Sequence, residues 1–222
     1  MTSGPKIQPK PSAFKSSSTP RSSRAAGNAR QRSDRPRANS YLEAEVERLS
    51  MTKRDRLRRV VLLCAHFSRN LAYYRAGHGR LTNTSPQFWI TVDGNFLDIA
   101  VIEWCKLFGD QRGNHGWAKV VTDPSRFEAE LLRHLGINAD ELAGYINETR
   151  TYRDKFLAHL DDLRVMDIPF LDRAQAAVDF YHRYVVQHEA ATDDLARLPI
   201  DLADYYKHCF NEAKAIYDRF RS

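Results

Sequence analysis

A chain of 222 residues has room for one well-cored domain, and is too short for two of ordinary size once a tail is set aside. Its formal charge of +6 is unevenly placed: residues 1–40 hold nine Lys or Arg against a single acid, Asp34, a net of +8, which leaves residues 41–222 at −2. A folded part this close to neutral has no global field to concentrate phosphate, so any nucleic-acid binding falls to the arm or to a local patch.

The three cysteines, Cys64, Cys105 and Cys209, are far apart and each sits in an apolar stretch. That pattern predicts small core thiols in a reducing compartment and argues against a disulfide framework or a zinc site. No run approaches the ~18 apolar residues of a membrane span, and the N-terminus lacks the apolar segment of a secretory signal. The expectation is a cytoplasmic protein with no membrane contact, no metal and no cofactor.

Residues 1–40 contain nine Ser and five Pro, with Ile7 and Phe14 as almost the sole large apolar side chains. Such a segment cannot bury enough surface to offset its ordering entropy, which predicts a disordered basic arm. Three roles stay open for it. It is a solvated tail upstream of an alternative start at Met51, an electrostatic arm that raises RNA affinity without sequence preference, or an Arg- and Ser-rich targeting segment that lacks periodic Leu.

From Tyr41 to the C-terminus the apolar residues recur at intervals of three and four, predicting an all-α bundle of five or six helices and no strand. The first helical region covers about 42–76, with Leu42, Val46, Leu49, Leu57, Val60, Val61, Cys64, Phe67, Leu71 and Tyr74 inward, and a break near Ser50 to Thr52 where Thr52 can cap. Ser85 and Pro86 read as N-cap and first residue of a second helix that ends at Gly109. As the most apolar stretch, it is expected at the centre. A loop over 109–122 is too poor in glycine to cradle phosphate, leaving a plain surface loop or a base platform on Trp117.

Asp123 and Pro124 start a short helix that ends at Gly136, and Asn138 with Glu141 forms a reciprocal cap for a helix over 139 to about 160. Pro169 and Pro199 open two more, to about 190 and 220. Asp179 and His182 supply one carboxylate-x-x-His motif, where a di-iron bundle needs two.

In the fourth helix the predicted buried stripe is Leu142, Ile146, Thr149, Arg153, Phe156 and Leu160, which puts Arg153 at a core position. An unpartnered buried guanidinium costs several kcal/mol, so a carboxylate should accompany it. The second helix offers Asp93, Asp98 and Glu103, with Asp98 the expected partner. On an unbroken α-helix Arg153 and His159 point about 120° apart and are separated by about 9 Å of rise. Bringing the two side chains together then needs a helix end between them or a second chain.

The run Tyr152-Arg153-Asp154-Lys155-Phe156-Leu157-Ala158-His159-Leu160-Asp161-Asp162 resembles the signature of the HEPN superfamily. The likeness is nearest to its abortive-infection AbiU-type branch, where an Arg-Asp-Lys run leads to Ala-His and a nearby Asp. Phe88-Trp89 and the segment Cys105 to Asp110 look like the same branch, so the resemblance spans roughly residues 60–190. It implies a HEPN-like bundle acting as a metal-independent endoribonuclease, as a toxin or in phage defence, at a cleft between two protomers of a homodimer. RNA is the implied partner, alongside an antitoxin or defence-system component.

In that reading His159 transfers protons, Arg153 neutralises charge on the phosphate, and Asp154 orients one of the two. Lys155 and Tyr152 line the cleft and contact RNA. Toxins of this superfamily that are modified by a nucleotidyltransferase carry a Tyr two residues after the His; here Asp161 stands there, against such control. The alternative is a non-catalytic HEPN module that binds RNA, a nucleotide or a partner protein through the same groove. The bland reading of Arg153 and Asp154 is a structural ion pair, and of His159 a residue interacting with the helix dipole.

Overall fold

Thr52 caps the first helix, α1 (Lys53–Gly77), its hydroxyl oxygen accepting from the Asp55 backbone N–H at 3.1 Å. The computed structural model describes residues 51–81, 85–110, 113–158, 168–191 and 195–221; the basic arm of residues 1–40 and the inward positions Leu42, Val46 and Leu49 lie outside them. Among the described residues the chain is all-helical, with seven α-helices and no strand.

Local signals account for most boundaries. Pro86 stands at the N-cap of α2 (Gln87–Trp104) with an extended ψ of 136°, one residue later than the cap position expected at Ser85. Asp123 caps α4 (Pro124–Leu135) through the Arg126 N–H at 3.0 Å, and Gly136 ends it at φ +66°, a conformation that suits glycine. Asn138 and Glu141 exchange bonds of 2.9 and 2.8 Å to open α5 (Ala139–Tyr152). The last two helices, α6 (Leu171–Tyr184) and α7 (Leu202–Arg221), begin two or three residues beyond Pro169 and Pro199.

One short helix was not expected. In the segment read as a loop, Trp117–Val120 forms α3. The Trp117 ring centroid lies 5.8 Å from Phe108 and 5.9 Å from Phe127, so aromatic packing folds the segment inward and leaves Trp117 partly buried. Phe127 is itself ringed by Phe180, Tyr181 and Tyr184 at 4.9 to 5.2 Å.

The central helix is α1, and the expectation that α2 holds that place is corrected. Packing against α1 are α2, α6 and α7, with shorter contacts to α3 and to the turns that follow α2 and α6. Every described position expected to face inward on α1, from Leu57 to Tyr74, is buried. Ala65, Ser68, Ala72, Ala76 and Gly77 are buried too, and their small side chains admit neighbours on further sides. The apolar character of α2 is in part surface: Phe88 is 67% exposed, and Ile90 and Ile99 are exposed as well. A second fastening joins chain segments far apart in sequence. Glu189 accepts from the Thr122 backbone N–H at 2.7 Å and from Lys53 Nζ at 3.0 Å, tying the end of α6 to the starts of α4 and α1.

Two glycines test this packing in opposite directions. A methyl group at Gly77 would run into the Asp93 carboxylate and the Tyr217 ring, whereas one at Gly94 meets nothing within 4 Å. In urea unfolding, Gly77→Ala is expected to lose about 1–3 kcal/mol, and Gly94→Ala to gain about 0.5–1 kcal/mol.

Candidate functional site

Two helices end in wide turns beside each other. Helix α2 continues into a π-helical turn, Cys105–Gly109, closed by the Asp110 N–H bonding the Cys105 carbonyl at 2.8 Å, and α5 continues into another, Arg153–Ala158. The two touch directly. Cys105 Sγ lies 3.9 Å from the Thr149 carbonyl oxygen, and a Cβ at Gly109 would sit 3.0 Å from Arg150 Cγ. Glycine at 109 therefore lets the end of α5 lie close across the end of α2.

Arg153 stands at that junction, held by two carboxylates. Its Nη1 donates to Asp110 Oδ1 at 2.6 Å and its Nε to Asp154 Oδ1 at 2.8 Å. The bond to Asp154 raises the guanidinium pKa above its usual value, burial opposes, and Asp110 adds to the rise. Arg153 is thus charged at any working pH. Its side chain is 20% exposed and that of Asp110 40%, so the pair is partly wet. Beside it, burial pushes the Cys105 thiol up to about 12 despite the lowering effect of the Arg153 charge, which makes it a packing residue and not a nucleophile at neutral pH.

The partner expected for Arg153 is corrected. Asp110 fills the place given to Asp98, because the π turn beyond α2 carries it to the end of α5. Asp110 was visible as the last residue of the Cys105-to-Asp110 segment, but nothing in helical spacing links it to position 153. Asp98 is half-buried near Tyr152: burial raises its own pKa, and its charge adds to the burial that pushes the Tyr152 phenol up to about 12. The remaining two carboxylates on α2 also have other partners. Asp93 accepts from Tyr217 Oη at 3.1 Å, and Glu103 from Lys106 Nζ at 3.1 Å.

The buried stripe of α5 is likewise shifted from the expected one. Leu142, Tyr145, Thr149 and Tyr152 are buried, whereas Ile146, Arg153 and Phe156 are only partly so. Tyr145 can be buried because its hydroxyl donates to the Phe170 carbonyl at 2.8 Å. Tyr152, at 2% exposed and 5.6 Å from the Phe156 ring, is a core residue, which removes its expected role in contacting RNA. Lys155 is partly exposed on the π turn. His159 and Leu160 lie outside the described residues. A π turn takes an extra residue per turn, so the 120° angle reckoned for an unbroken α-helix does not apply beyond Arg153.

Chemically, the junction offers a permanent, partly exposed cation that bonds its two carboxylates through Nε and Nη1. Its two bonds hold the guanidinium plane in one orientation, the preorganisation that bidentate anion recognition requires. Asp110 and Asp154 also leave the immediate group one charge negative, so an incoming phosphate competes with Asp110, the more readily if that carboxylate swings outward.

Away from this junction, Asp179, His182 and Arg183 line a polar cleft of about 410 Å³ between α6 and the start of α7. No three His, Cys, Asp or Glu among the described residues come together as metal ligands. His182 donates through Nε2 to the Pro199 carbonyl at 2.8 Å.

Two predictions follow from these environments. A double-mutant cycle on Arg153→Ala and Asp110→Ala, read by chemical unfolding, is expected to give a coupling of roughly 1 kcal/mol, the scale of a partly exposed ion pair. Burial pushes the Asp179 carboxyl up to about 6, outweighing the lowering effects of Arg183 and Arg75. Its folded pKa thus exceeds the unfolded one, so the folded state holds the proton more tightly, and stability falls as pH rises from about 4 to about 6 and stays lower above. Asp179→Asn is expected to stabilise the protein at pH 7, on the order of 1 kcal/mol after solvent screening, with little effect at pH 3.5.

No described helix is long and apolar enough to cross a membrane. No family model matches the chain, and neither does any curated protein or solved structure.

Proposed function

We propose that this chain is a HEPN-type, metal-independent endoribonuclease that works as a homodimer, in phage defence or as a toxin. The carrying observation is Arg153: a guanidinium oriented by Asp110 and Asp154, partly open to solvent at a junction of two π turns, six residues before His159. π turns inside helices are uncommon and often accompany functional positions.

In this reading the RNA 2′-hydroxyl loses its proton to His159 of one copy, and its oxygen attacks the adjacent phosphorus. The bond from phosphorus to the 5′-oxygen breaks, and that oxygen takes a proton from His159 of the second copy. The products are a 2′,3′-cyclic phosphate and a 5′-hydroxyl. Arg153 stabilises the added negative charge on the phosphoryl oxygens through Nη2 and, once Asp110 yields, Nη1. Asp154 keeps the guanidinium oriented during the exchange, and Lys155, beside it, neutralises a neighbouring phosphate. Localisation in the cytoplasm and an antitoxin or defence-system partner belong to the same proposal.

A second reading has support from one observation. Arg153 bonds two carboxylates of its own chain, the arrangement of a structural ion pair, and a HEPN module that only binds RNA, a nucleotide or a partner protein needs nothing more. Incubating the purified chain with single-stranded RNA in EDTA separates the two. The enzyme reading expects cleavage leaving cyclic phosphate ends, reduced at least about 100-fold in Arg153→Ala and His159→Ala with thermal unfolding checked. Binding without cleavage by the parent chain supports the module, and cleavage that survives both substitutions removes the site.

A further inference from the structure

At the other end of α2, roughly 20 Å along the helix axis from the Arg153 junction, lies a half-open cavity of about 160 Å³ between α1, α2 and α7. Four aromatic rings line it. Tyr73 of α1 and Phe96 of α2 meet at 5.1 Å and 62°, and Trp89 of α2 and Tyr217 of α7 at 5.6 Å and 55°. Val92 of α2 and Glu212, Ala213 and Ile216 of α7 complete the wall, and among the described residues no Lys, Arg or His lines the space.

The groups that accept from its two phenols are both carboxylates. Tyr73 donates its hydroxyl proton to Glu212 Oε2 at 2.9 Å, and Tyr217 donates to Asp93 Oδ1 at 3.1 Å. Both phenols thus have their O–H committed to a carboxylate, which sends electron density into the ring and deepens the negative potential over its face. Asp93 is buried, with His78 nearby opposing the rise in its pKa that burial causes, and Glu212 is an exposed carboxylate in the lining itself. An anion is repelled here, and a neutral apolar molecule gains contact area alone. A cation gains contact area, the ring quadrupoles and the carboxylate field together.

We propose that this aromatic cavity binds a small organic cation, of the alkylated-ammonium class, with Trp89, Tyr73, Phe96 and Tyr217 around the charged head and Glu212 as counter-charge. A cavity near 150 Å³ accommodates a molecule of benzene size, so a tetramethylammonium head fits. The site is separate from Arg153 and stands whether or not the chain cleaves RNA.

The test titrates the full chain with tetramethylammonium, choline and 3,3-dimethylbutan-1-ol, the uncharged carbon isostere of choline, following tryptophan fluorescence and NMR shifts. Tetramethylammonium and choline are expected to bind at least about tenfold more tightly than the isostere. Trp89→Leu abolishes the preference, Glu212→Gln weakens cation binding several-fold, and Arg153→Ala leaves it unchanged. Glu212 is exposed, so that variant reports even if Trp89→Leu impairs folding. Equal affinity for cation and isostere, or no binding of any of the three at tens of millimolar, overturns the proposal.

Discussion

The arrangement depends on a steric condition met by α1, which is packed on several sides at once. A helix surrounded in this way must present large apolar groups where neighbours stand back and almost nothing where they press in. Leu57, Val60, Val61, Phe67 and Leu71 do the first, and Ala65, Ser68, Ala72, Ala76 and Gly77 the second. Gly77 is the tightest point, since both Asp93 of α2 and Tyr217 of α7 occupy the space a side chain would need. The hydrogen bond between those two residues, the cavity beside them and the approach of α7 to α2 all follow from that contact.

At the other end of α2 a similar allowance at Gly109 brings the end of α5 across a π turn. The consequence is electrostatic. Asp110, the residue just beyond the turn, reaches Arg153, and the guanidinium ends up bridged between the ends of two helices. An arginine in this setting balances two demands: fully buried it would need its carboxylates permanently, and fully exposed it would gain nothing from them. Partial exposure with two oriented bonds is the compromise that leaves a charged group both aligned and within reach of an anion, which is why the ribonuclease reading attaches to it.

Capping and helix periodicity were legible before any coordinates: Thr52, Asp123, Gly136 and the Asn138–Glu141 exchange are local chemistry, needing at most four neighbouring residues. The candidate arginine was legible too, as a charged residue in an otherwise apolar helical pattern followed by a histidine. Its partner was not, because periodicity assumes 3.6 residues per turn and the chain leaves that geometry at Cys105 and again at Arg153. The same assumption put Arg153 inside the stripe and Tyr152 outside, where the structure has Tyr152 buried and Arg153 partly open. Tyrosine is ambiguous in such a reading, since an apolar ring with one hydroxyl suits either place.

The amino-acid sequence by itself determined that the described residues form helices and where most of them start, and it placed the chain's net positive charge in residues 1–40, since these are matters of local hydrogen bonding and composition. Tertiary structure decided which helix is central, which aspartates meet Arg153, and that four aromatic rings from three helices line one cavity. Those outcomes turn on how closely helix axes approach, and axis separation is set by small residues and π turns acting between segments that the chain keeps far apart.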